Sequence, residues 1–186
     1  MIQIKTSGIA FALALVGAAA PAMAQTPPPP PPAEAKTTAD AYVKAAGASD
    51  QFEIQSSQIA LQKTQNPAVR KFADMLIKHH QKTTAATVKA AQKAGLTPPP
   101  PALDPGAQPS IAELQSASAA DFDRIYLAQQ VPAHQAALDL HQSYAANGDK
   151  APLKASARAA VPIVKQHIAA AQKLSAGKGM GNMSGM

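Results

Sequence analysis

Four stretches of this chain carry small and apolar residues at alternating steps of three and four, the period of α-helices that bury one face. The first spans about 38–64 and aligns Tyr42, Val43, Ala46, Asp50, Glu53, Ser57 and Ala60, with Phe52, Ile54 and Leu61 beside them. The second, about 67–94, turns Val69, Phe72, Ala73, Leu76, His80, Thr83, Thr87 and Ala91 inward. The third, about 119–146, lines up Phe122, Leu127, Val131, His134, Leu138 and His141. The fourth, about 151–174, has the cleanest stripe: Leu153, Ala157, Ala160, Val164, His167, Ala171 and Leu174. Aromatic residues make up only 4% of the chain, so intrinsic preference also favours helix over strand.

The punctuation agrees with the period. The prolines cluster in Pro27–Pro32 and Pro98–Pro101, outside the four segments. Asn66-Pro67 reads as a stop and a capped restart, because Asn caps and Pro fits a first helical turn. Gly95 stands where a second helix needs a left-handed residue. Ser110 and Glu113 have capping-box spacing, which predicts a short helix near 111–117. Leu103, Ile111 and Leu114 would cover one end of the assembly. Ser118 to Asp121 resembles a further cap, and Asn147-Gly148 closes the third helix. Pro132 and Pro162 fall inside helices and predict kinks. The expected fold is all-α: an up-down-up-down four-helix bundle over residues 37–175, with a long Pro-rich 2–3 connection containing a short helix.

Residues 1–24 read as a signal peptide. Lys5 is followed by an apolar run from Gly8 to Ala20, then by Ala22-Met23-Ala24, so cleavage is expected after Ala24. The run is shorter than the ~20 residues of a membrane-spanning helix, and no second long apolar stretch follows, so no transmembrane segment is expected after processing. This predicts a periplasmic or secreted protein. With no cysteine, disulfides and thiolate metal sites are excluded. Residues 25–36 read as a polyproline spacer, or as a docking segment for a proline-recognising partner. Without Lys5, the 17 basic residues become 16 against 11 acidic ones, a net +5. The lysines are scattered rather than clustered and no aromatic-basic patch exists, so nucleic acid is not an expected partner; envelope partners are.

Each helix places one titratable residue on its inward stripe: Glu53, His80, His134 and His167. With the turns near 65 and 148 taken as the same end of the bundle, all four fall within about 10 Å along the axis at ~1.5 Å rise per residue. Burying such groups is costly unless they pair or bind something. One carboxylate with three imidazoles suits zinc or copper, among other transition metals. The same residues could instead form a hydrogen-bonded Glu–His network. His79 and His141 are secondary candidates: His79 adjoins His80 but points about 100° away, to the edge of the stripe, and His141 sits two turns from His134 as a partly exposed histidine. The tail, residues 176–186, carries Met180, Met183 and Met186, whose thioethers are soft ligands for Cu(I) on a flexible Gly/Ser backbone, or are incidental to a low-complexity end. No nucleophile elbow, phosphate loop or Ser-His-Asp arrangement is present, so no enzymatic activity is expected.

Several stretches in order and spacing extend the reading. They are Glu53-Ile54 with Ile59-Ala60; Val69-Arg-Lys-Phe-Ala-Asp-Met75 leading to His80; Phe122-Asp-Arg-Ile-Tyr126 leading to His134; and Val161-Pro162 leading to His167. From Ala41 to Leu174 the chain resembles the bacterial family called domain of unknown function 4142. The resemblance implies a ferritin-like four-helix fold and export, and no activity. It matches Glu53, His80, His134 and His167 by position. It departs at His79, where the family commonly has Asp, and at Pro132. The leading expectation is an envelope protein that binds a transition metal through the Glu/His cluster; the alternative is a metal-free structural or protein-interaction bundle.

Overall fold

The computed structural model describes residues 26–181, with side chains to residue 177. Residues 1–24, read above as a signal peptide, and Met183 and Met186 lie outside the described residues, as does the side chain of Met180. Among the described residues there are five helices and no strand: α1 (Ala39–Lys63), α2 (Pro67–Lys93), α3 (Gln108–Ser116), α4 (Phe122–Asn147) and α5 (Ala151–Gly181). Among the described residues no helix is long and apolar enough to cross a membrane.

Local chemistry sets the helix ends. The Asn66 side chain accepts from Ala68 N at 2.9 Å, with Pro67 at the first position of α2. Gly95 takes φ 80°, the left-handed conformation that ends α2. Ser118 Oγ accepts from Asp121 N at 3.1 Å and donates to its carboxylate at 2.8 Å, just before α4. Pro132 and Pro162 lie inside unbroken helices. The capping box at Ser110 does not form. Asp104 starts the segment earlier by capping Gly106, α3 begins at Gln108, and Ser110 is buried inside the helix. Glu113 instead accepts from Gln129 Nε2 at 2.8 Å and from Thr26 N at 3.1 Å, because tertiary donors reach it first.

α1 packs on α2 and α4, and α5 packs on the other sides of the same two helices. One end of the core gathers Tyr42 of α1, Ala91 of α2, Leu140 and Tyr144 of α4 and Leu153 of α5. The other gathers Ala60, Val69, Phe72, Phe122, Tyr126 and Ala171. The α1–α2 turn and the α4–α5 turn are therefore at opposite ends, which overturns the expected up-down-up-down order. In chain order the long helices run up, down, down, up. The segment between α2 and α4 carries the chain back along the full length: Pro101 lies against Gly47, Ile111 packs with Phe52, and Lys63 Nζ caps carbonyls at the end of α3. Every neighbouring pair of long helices is then antiparallel, which sets helix dipoles in the favourable sense.

The proline segment expected as a spacer lies on the helices. Pro28–Pro32 line a shallow groove with Ala45, Ala48, Phe52, Ala133 and Ala137, and Pro29 touches Gly106. Pyrrolidine rings present apolar surface on a backbone without internal hydrogen bonds, and alanine faces leave room for it.

The buried face of α4 is also rotated from the expected stripe. Tyr126, Gln129, Gln130, Ala133, Ala137 and Tyr144 are buried, while Val131 and Leu138 are only half-buried. Two glutamines on the inner face have polar partners, Ser110 O for Gln129 and Ser56 Oγ for Gln130, which a count of apolar residues does not reveal. At the lower end Tyr42 stacks on Tyr144 with ring centroids 3.9 Å apart, and Gly148 closes beneath Tyr144. A methyl group on Gly148 would stand 2.5 Å from the Tyr144 ring. Gly148→Ala should therefore lower stability by about 1–3 kcal/mol, the range for an overpacked core. Thermal unfolding measures this; an unchanged melting temperature would show that the ring moves freely.

Candidate metal centre

Halfway along the core, α2, α4 and α5 bring three imidazoles together. His80, His134 and His167 each offer a nitrogen lying within 4.8 Å of the other two. Their exposures are 3%, 0% and 0%, and their ring centroids stand 5.1–5.5 Å apart.

Each ring is held from behind. His80 Nδ1 donates to Asp50 Oδ1 at 2.7 Å, and Asp50 Oδ2 accepts from Thr83 and Thr84 at 3.1 and 2.7 Å. His134 Nδ1 donates to the Gln130 carbonyl at 2.8 Å. A carbonyl only accepts, so in neutral His134 the free lone pair is on Nε2. That nitrogen is 3.2 Å from His167 Nδ1, and His167 Nε2 is 2.9 Å from His79 Nδ1. An imidazole steered by a carboxylate, a carbonyl or a second polar group on its far nitrogen is the usual support for a metal-binding histidine.

The electrostatics keep two of the three unprotonated, each with one lone pair available. Burial, reinforced by the charge on His80, lowers His134 to about 3. Burial, with the neighbouring histidines His134, His80 and His79 adding to it, lowers His167 to about 2. Burial opposes charge on His80 as well, but its hydrogen bond to Asp50 and the nearby Glu53 outweigh it and raise its pKa. His80 Nε2 is buried without a hydrogen-bond partner among the described residues.

Glu53 sits at the same level, with Oε1 3.5 Å from His134 Nδ1. It therefore stands behind His134 rather than within the converging group. Its carboxylate is 1% exposed and neither oxygen has a hydrogen-bond partner among the described residues. Burial, with Asp50 adding to it, pushes Glu53 up to about 8 against the opposing pull of His80 and of the Gln130 side chain.

All four residues expected from the sequence thus meet at one level. Asp50 and Gln130 were not anticipated as partners, and His79 was expected only as a secondary candidate. Asp50 stands one helical turn before Glu53 on the same stripe, and that spacing was the available signal. His79 points off the α2 stripe as expected, but toward α5, where its ring stacks on His167 at 5.2 Å and 21°. His141 is buried, not partly exposed; it pairs with the Tyr42 hydroxyl at 2.9 Å and stays outside the triad.

Fold and site together define an all-helical protein with a buried three-histidine cluster. The chain belongs to the family described as domain of unknown function (DUF4142), whose model matches residues 24–174. No curated protein matches it. Among solved structures it is similar to CopM in the Cu(II)-bound form, at 18% identity and a TM-score of 0.62 over 75% of this chain and 98% of that one. CopM in the Cu(I)-bound form (18%, 0.60) and in the Ag-bound form (21%, 0.60) match over 74% of this chain and 94% of theirs. At these identities the likeness is one of fold.

Proposed function

We propose that this protein is an exported cell-envelope protein that holds a copper ion on His80, His134 and His167 and catalyses no reaction. The observation that carries this reading is the triad itself: three buried imidazoles whose outer nitrogens are already engaged and whose remaining nitrogens converge. An ion at ~2.0–2.1 Å from each nitrogen, the distance typical of imidazole on a comparable divalent ion, needs these three nitrogens, which lie within 4.8 Å of one another, to draw together around it. Imidazole suits both copper and zinc, and Cu(II) stands highest among the divalent ions in affinity for such a site. The copper- and silver-bound forms of CopM support copper as the first metal to test. The parallel α2 and α4 joined by one long crossover support a ferritin-like four-helix bundle. Export rests on residues 1–24, and the methionine tail is a second candidate site for Cu(I).

The test is a copper and zinc titration of residues 25–186 followed by thermal unfolding. A ligand at 100 times its Kd adds ~2.7 kcal/mol to the folded state. For a chain of this size that raises Tm by roughly 5–10 °C. Copper should do this at one equivalent in the wild type and in a chain ending at residue 176, and should not do it in the His80→Ala/His134→Ala variant. No shift in the wild type would mean that the histidines form a metal-free core network.

A further inference from the structure

We propose that His79 is the gate of the buried triad: it captures an ion at the surface, passes it inward and closes over His167. This rests on the copper reading above. The three inner histidines are almost wholly out of solvent, so an ion reaches them only if a side chain moves. Three side chains, Asp50, Glu53 and His79, and the Gln130 backbone carbonyl are in hydrogen-bonding or charge contact with their rings. Asp50, Glu53 and Gln130 are buried, whereas His79 is half-buried.

The four also differ in how firmly they are held. Asp50 accepts from three side chains, and Gln130 is tied to Ser56 as well as to His134. His79 holds the triad through one hydrogen bond, Nδ1 to His167 Nε2 at 2.9 Å, and one ring stack. Its displacement breaks the least.

The chain of tautomers makes His79 a usable ligand. The Gln130 carbonyl leaves the His134 Nε2 lone pair free to accept from His167 Nδ1, so His167 Nε2 accepts from His79 Nδ1. Neutral His79 therefore keeps its lone pair on Nε2, available to an ion without loss of a proton. For His79 and His167 to share an ion at ~2.0–2.1 Å from each nitrogen, the 2.9 Å contact through Nδ1 must break and the His79 ring must turn so that Nε2 faces His167 Nε2. A side-chain rotation at the surface supplies that. Turning of the His167 ring then carries the ion to His80 and His134.

A gate alters rates, whereas a residue that only orients His167 alters affinity. His79→Asn separates the two, because its amide N–H stands where Nδ1–H stood but is a poor copper ligand. Stopped-flow mixing of the apo protein with Cu(II), and release into excess chelator, measure both directions. His79→Asn should keep Kd within about threefold of wild type while loading and release both slow by about tenfold or more. His79→Ala should slow both equally and also weaken binding by about 10- to 100-fold, the usual effect of losing a group behind a ligand. Circular dichroism confirms that both variants fold. Loading of His79→Asn at the wild-type rate or faster overturns the gate while leaving the copper site intact. Failure of the wild type to bind copper overturns both.

Discussion

Taking the metal-free protein from pH 6.5 to 4.5 should remove roughly 5 kcal/mol of stability, from a total that for most proteins is only ~5–15 kcal/mol. Three buried histidines drive the loss. Burial lowers His134 to about 3, His167 to about 2 and His141 to about 4, against 6.5 for an ordinary histidine. Across this window the unfolded chain goes from half-protonated to fully protonated at all three, while in the folded chain they stay almost wholly unprotonated. Glu53 acts in the opposite sense: its pKa of about 8 keeps it protonated when folded, while the unfolded glutamate ionises above 4.5. The net difference of about two protons, at ~1.36 kcal/mol per pH unit each, gives the loss. Above pH 6.5 the histidine contributions are complete. Glu53 and the raised His80 then make stability fall again as pH rises. Urea unfolding across this range should show a maximum near pH 6.5. A flat profile from 4.5 to 8 would mean that these groups are not held in their dry, buried states.

Glu53→Met should raise the stability of the metal-free protein at pH 8 by about 2–4 kcal/mol and weaken copper binding by about tenfold or more. Met keeps the length and unbranched shape of Glu and removes two buried oxygens that have no hydrogen-bond partner among the described residues. Leaving such a group unsatisfied costs ~1–3 kcal/mol, and more once it is charged. A folded carboxyl with a raised pKa contributes stability in full below 4.5 and loses it as pH rises toward 8, so the gain from Met is largest at high pH. Copper binding reverses the sign, because an ion brings positive charge into a dry site where an ionised Glu53 offsets it. Chemical unfolding and copper competition on one preparation test both halves. A variant less stable than wild type at pH 8 would mean that Glu53 is satisfied in the native state. Unchanged copper affinity would place Glu53 outside the site's electrostatics. This is the expected pattern for a functional residue kept at a cost in stability.

The four long helices were legible because their determinants are local. The three-and-four period, Asn66 before Pro67 and Gly95 after α2 act over a few residues and leave their mark in composition and spacing. The meeting of Glu53, His80, His134 and His167 was legible for a different reason. All four lie near the middles of their helices, and a mid-helix residue stays near the middle when a helical hairpin is turned end for end. The level survived although the direction of the second hairpin did not. That direction was set by the crossover, whose prolines, Ile111 and Leu114 find their partners on α1 and at its far end. Tertiary contact likewise decided the capture of Glu113 by Gln129 and Thr26, the seating of Pro28–Pro32 on alanine faces, and the turning of Gln129 and Gln130 inward. It also turned His79 from the edge of a stripe into a neighbour of His167. Each depends on a partner more than a dozen residues away along the chain or on the depth of a groove. Helical period and capping, which act within one or two turns, contain neither quantity.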